Sequence, residues 1–107
     1  METKSAGFNI GQLVRHKLFH YRGVITDVDF RYMGTEEWYE SVALSRPPKD
    51  SPWYRVLVHN ALHMTYVAER NLEPEPLPEP VQHPLIDDYF DNFENGMYTR
   101  IRNLPVN

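Results

Sequence analysis

Val24-Ile25-Thr26-Asp27-Val28-Asp29-Phe30 decides the fold. Val24, Thr26, Val28 and Phe30 share one parity and Asp27 and Asp29 the other, which is the alternation of a half-buried strand. Ile25 breaks the pattern and predicts a bulge or a second covered face. Upstream, Gly11-Gln12-Leu13-Val14-Arg15-His16-Lys17 reads as a strand entered through a glycine, with Phe19-His20-Tyr21-Arg22-Gly23 as the turn between the two. Downstream, Trp53-Tyr54-Arg55-Val56-Leu57-Val58-His59 and His63-Met64-Thr65-Tyr66-Val67-Ala68 form a second pair turning at Asn60-Ala61-Leu62. Between the pairs, Gly34-Thr35-Glu36-Glu37-Trp38-Tyr39-Glu40-Ser41-Val42 predicts a short helix, with Thr35 as its cap and two glutamates in its first turn. Arg46-Pro47-Pro48-Lys49-Asp50-Ser51-Pro52 follows as a rigid loop. The expected fold is mainly β, a small SH3-like β-barrel with a short helix insertion.

Glu73-Pro74-Glu75-Pro76-Leu77-Pro78-Glu79-Pro80 marks a boundary. Alternate prolines fix φ and remove donors, so the stretch is neither helix nor central strand and should run extended. Residues 1–73 are accordingly expected to form the barrel domain, 74–83 a Pro/Glu linker, and 84–107 an acidic C-terminal extension. In that extension Leu85, Ile86, Tyr89, Phe90 and Phe93 recur at helical spacing, and Asn95-Gly96 offers a stop. An isolated helix usually needs roughly 12–15 residues. This stripe is therefore expected to dock on its own barrel or on a neighbouring subunit, with Asp87, Asp88 and Asp91 facing water.

At 107 residues one domain is the expectation, burying roughly 65% of its extended-chain surface. A two-domain enzyme with a deep interdomain cleft is not expected at this size. Cysteine is absent, which removes disulfides, thiolate nucleophiles and cysteine-based metal sites. No apolar run reaches signal-peptide or membrane-spanning length, so a soluble cytoplasmic protein is expected, with no membrane partner. The net charge of −4 is uneven: residues 1–72 carry nine Lys/Arg and eight Asp/Glu, residues 73–107 two and seven. A near-neutral body thus bears an acidic tail, and each part presents its own field.

No phosphate-cradling glycine loop, metal-protease helix motif or nucleophile elbow is present, so neither an enzyme nor a cofactor is expected. His16/His20 and His59/His63 are each four apart, a metal-binding spacing on a helix. On strand and turn such pairs splay apart, and no metal site is expected. Asp27 with Asp29 reads as a solvated strand face rather than a catalytic pair. The more informative cluster is Arg15, Lys17 and Arg22 with His16 and His20, in a stretch free of acidic residues from Thr3 to Thr26. A basic hairpin can track phosphates, and Tyr21, Trp53 and Tyr54 nearby offer aromatic surface. The candidate DNA-binding residues are Arg15, Lys17, His20, Tyr21, Arg22, Trp53 and Arg55. The plainer alternative is a solvated face above core aromatics.

Phe8-x-Ile10-Gly11-x-x-Val14-Arg15-His16 followed by Tyr21-Arg22-Gly23-Val24-Ile25-x-Asp27-Val28-Asp29 resembles the YccV-like, or hemimethylated-DNA-binding, family of HspQ heat shock proteins. Glu37-Trp38-Tyr39, Pro52-Trp53-Tyr54-x-Val56-Leu57 and Thr65-Tyr66-Val67-Ala68-Glu69-x-Asn71-Leu72 agree in order, so the resemblance covers about residues 8–74. It implies a cytoplasmic, non-enzymatic SH3-like barrel that binds hemimethylated DNA. It also implies a heat-shock role with the Lon protease in degrading denatured proteins such as the replication initiator DnaA. Two classes stay open: a dedicated DNA-binding module and a factor that presents clients to a protease. Homo-oligomerisation stays open too.

Overall fold

The computed structural model describes residues 6–100, so residues 1–5 and 101–107 of the expected domain and extension lie outside the description. β1 (Leu13–His16) and β2 (Arg22–Asp29) form the first hairpin, and β3 (Trp53–Val58) and β4 (Met64–Ala68) the second. A 3-10 turn at Glu69–Asn71 leads into β5 (Leu72–Pro74), giving an antiparallel sheet in the order β4-β3-β2-β1-β5. The mainly β expectation holds. A closed barrel is not shown, since no ladder joins β4 to β5 among the described residues.

The helix α1 (Glu36–Val42) begins where expected, because the Thr35 hydroxyl accepts from the Trp38 amide at 3.1 Å. Ile25 satisfies both halves of its expectation. Ile25 pairs with Val56 and Asp27 with Arg55, leaving Thr26 as the extra residue of a bulge. The bulge resets parity, which lets Ile25 and Val28, three apart, pack into the same cluster with Val14, Tyr54 and Val56. Val24 and Leu57 point the other way and are fully buried as well. The central strands are therefore covered on both faces.

The second cover comes from the C-terminal segment. Val81, Phe90 and Tyr98 share one cluster with Leu13, Val24 and Leu57, and Ile86, Tyr89 and Phe93 pack against it. The tail stripe thus docks on its own body. Packing crosses the boundary expected after residue 73, and Pro74, expected in the linker, belongs to β5, opposite Val14. Proline is tolerated there because β5 is an edge strand. The expected helix shrinks to one turn, α2 (Ile86–Tyr89), and Phe93 sits instead in β6 (Asn92–Glu94), paired with β7 (Met97–Thr99). Asn95 and Gly96 have φ of 56° and 76°, so this dipeptide is the two-residue turn of a β-hairpin rather than a helix stop. Gly11 makes the docking feasible: its φ is 93°, and a Cβ there would lie 2.0 Å from the Tyr98 carbonyl oxygen.

Candidate functional site

The basic hairpin is less free than its sequence suggests. Arg15 and Arg22 lie directly opposite in the β1–β2 register, an arrangement that like charges disfavour. Glu75 resolves the conflict: its carboxylate, with a side chain only 5% exposed, lies 3.2 Å from Arg22 Nε and 3.7 Å from Arg15 Nη1. Arg22 also donates to the carbonyls of Leu77, Glu79 and Pro80. Prolines at 76, 78 and 80 leave this segment few donors of its own, and one guanidinium holds it as a strap across the hairpin. Arg22 is accordingly a clamp within the chain. Arg15 is half-buried, and Lys17 and His20 are exposed in the turn beyond β1, where His20 takes a φ of 63°.

The other expected contacts divide. Trp53 is 1% exposed and packs against Tyr32 and Tyr66, its Nε1 donating to the Pro48 carbonyl, so what little surface it keeps belongs to the lining of an apolar cleft and not to the basic turn. Tyr54 is fully buried, and burial with a hydrogen bond to Glu69 pushes its hydroxyl up to about 12. Tyr21 is half-buried, its hydroxyl 2.8 Å from Thr65 Oγ1. Arg55 is exposed but pairs with Asp27 at 3.1 Å and Asp29 at 3.8 Å, over the Tyr66 ring. Its partner Asp27 lies five strand residues along β2 from Arg22, roughly 16 Å away. The structure therefore gathers Arg15, Lys17, His20, Tyr21 and Arg22 around one turn, leaves Arg55 apart from it, and keeps Trp53 buried, sharing with Tyr21 only the lining of a neighbouring cleft.

His16 is structural. Its Nδ1 accepts from the amides of Leu18 and Phe19, both at 3.1 Å, and its ring lies against Phe19 and Tyr21. Burial first, and the neighbouring His20 second, hold its pKa below the ordinary histidine value. His59 Nδ1 accepts from the Gln82 amide, tying the second hairpin to the tail. Among the described residues no group of three or more His, Asp and Glu could hold a metal.

Beside the basic turn lies a feature that sequence reasoning missed. A cleft of about 650 Å³ opens between the β1–β2 turn, the end of α1 and β4. Leu18 and Phe19 form one wall, Val42 and Leu44 the opposite one, with exposures of 52%, 73%, 53% and 79%. Trp38 and Tyr66 supply aromatic surface inside it. The one available signal was Leu18-Phe19, two large apolar residues in a turn where polar ones are usual. The Tyr66 hydroxyl donates to Asp29, and burial with that bond raises its pKa well above that of free tyrosine.

The model of one protein family, hemimethylated DNA-binding protein YccV like, matches residues 6–97. The chain belongs to the YccV-like family. The matched span takes in the β1–β2 hairpin, both walls of the cleft, the strap and the docked tail as far as the start of β7. It extends past residue 74, where the sequence resemblance stopped. DNA binding is what the YccV-like name ascribes, and the exposed Lys17 is the cation of the turn left without an ion pair among the described residues, with the exposed His20 beside it. No helix among the described residues is long and apolar enough to cross a membrane.

Proposed function

We propose that this protein is a non-catalytic stress-response accessory factor that holds denatured protein segments in its cleft, promotes their degradation by the Lon protease, and binds DNA as its family does. The observation that carries the reading is the cleft with its exposed apolar rim of Leu18, Phe19, Val42 and Leu44. Contiguous apolar surface of this kind marks an interaction site on a water-soluble chain. Denatured proteins differ from folded ones in exposing apolar side chains, so an apolar cleft favours them by the same hydrophobic effect that folding would have satisfied. A cytoplasmic setting, where Lon, clients and DNA are met together, is part of the proposal.

The test is turnover of heat-denatured DnaA by Lon, with and without this protein. Turnover should rise with wild type and fall back to the basal rate with Leu44→Asp, whose parent side chain is 79% exposed and contributes little to the core. Client turnover that stays constant across a range of wild-type concentrations overturns the reading. A dedicated hemimethylated-DNA-binding module is the second reading, favoured by the family match and the exposed Lys17 and His20. Binding to methylated, hemimethylated and unmethylated duplexes at two salt concentrations decides whether methylation is sensed.

A further inference from the structure

β4 closes one end of the sheet order, so one side of its backbone faces no other strand of the sheet. Met64, Thr65, Tyr66, Val67 and Ala68 all line the cleft. Successive side chains of a strand point to opposite faces, so five consecutive residues cannot reach one space through side chains of one face alone. The cleft therefore takes in the strand's open edge together with the face that β4 shares with Trp53 of β3. An unpaired strand edge is a row of donors and acceptors that an extended backbone satisfies and a helix does not.

Charge narrows the occupant further. The cleft lining contains no Asp, Glu, Lys or Arg, so its interior suits an uncharged stretch. One end differs. There the Lys17 amide donates to the Asn71 carbonyl at 2.8 Å, Asn71 Nδ2 reaches Ser45 Oγ at 3.1 Å, and the Arg70 guanidinium donates to the Ser45 carbonyl. These bonds hold the Lys17 backbone and the Arg70 guanidinium at the mouth with Arg46 next along the loop, and among the described residues Glu40 pairs with Arg46 at the surface at 2.8 Å. We infer that the cleft takes one partner of defined chemistry: an extended polypeptide segment with an uncharged apolar core and acidic residues at one end, added to β4 as a further strand. This rests on the reading of the cleft as the client site and specifies how a client is held. The open β4 edge supplies backbone hydrogen bonds, Leu18, Phe19, Val42 and Leu44 clasp the side chains, and Lys17 with Arg70 set the direction.

The experiment uses a fluorescein-labelled ten-residue peptide with a Val/Leu/Phe core and two aspartates at one end, titrated with the full chain. Replacing the aspartates with lysines should weaken binding at least fivefold at low salt, and Lys17→Glu should erase most of that preference. N-methylating one alternate set of core amides should weaken binding more than tenfold, while methylating the other set costs less than threefold. That asymmetry belongs to strand addition alone. Leu44→Asp should weaken binding tenfold with an unchanged melting temperature. Equal effects of the two methylated sets, or no preference for the acidic end, overturn the proposal. So does a concentration-dependent dimer that Leu44→Asp abolishes in the absence of peptide binding, since a second copy would then be the occupant. If the peptide pattern holds and Lon turnover does not rise, the degradation reading fails and the docking stands. If turnover rises without peptide binding, the docking fails and the degradation reading stands.

Discussion

At the scale of single residues, Glu75 is the most consequential side chain outside the core. Its carboxylate separates two guanidiniums that the β1–β2 register places face to face. Removing one member of a buried pair costs roughly 3–5 kcal/mol. Arg15 is 39% exposed on its side chain and water screens it, so Glu75→Gln should destabilise by about 2 kcal/mol, read as a lower midpoint in urea unfolding. Adding Arg15→Gln should recover part of that loss, because the like-charge conflict goes with it. His16 links stability to pH. Its folded-state pKa lies below the unfolded value, so the unfolded chain binds the proton more readily. As pH falls through about 6.5 the unfolded state protonates first, stability drops, and the loss ends once the lowered folded-state pKa is passed. His16→Asn keeps an acceptor for the Leu18 and Phe19 amides without titrating. The difference in melting temperature between wild type and this variant should therefore change between pH 7.5 and 5.5, and a constant difference would sink the assignment.

At the scale of elements, the tail acts as a second cover for the sheet. Phe90 is 5% exposed and packs on Tyr98 at 5.2 Å between ring centres, above Leu13, Val24 and Leu57. Phe90→Ala should cost about 3–4 kcal/mol, since the strap anchored at β5 and Val81 limits how far the tail can collapse into the void. Truncation after residue 80 should lower the melting temperature and promote association, because it uncovers that apolar face. A truncated chain with the parent's melting temperature and solution mass would show that the tail is not part of the folded unit. The hairpin turn gives a smaller test. Gly96→Ala meets a φ of 76° and a Pro78 contact at 3.2 Å, and should cost about 1 kcal/mol by thermal melting. The sequence of the tail does not separate helix from hairpin, because Asn-Gly stops a helix and turns a hairpin equally well and three-residue strands carry too little alternation.

At the scale of the whole molecule, the field that DNA meets is weaker than the count of basic residues implies. Three free cations at Arg15, Lys17 and Arg22 would give a slope of log K against log salt of about −0.9 × 3, near −3. With Arg22 clamped and Arg15 sharing Glu75, the slope on a hemimethylated duplex should lie nearer −1 to −2, and Glu75→Gln should steepen it. A slope of −3 or steeper for wild type would mean that the strap leaves the hairpin when DNA binds. The strand pairs, the capped helix and the irregularity at Ile25 were legible in the sequence because each is local: alternation, a Thr-Glu-Glu start and one broken parity are written within a few residues. The family was legible for the same reason, in ordered blocks across residues 8–74. What only the tertiary structure decided depends on residues far apart. Arg22 looks like a free cation until Glu75 and three carbonyls more than fifty positions away are brought to it. Trp53 looks like binding surface until Tyr32, Trp38 and Tyr66 close over it. The cleft exists only because a turn, a helix end and a sheet edge meet, and no local pattern encodes the space between three elements.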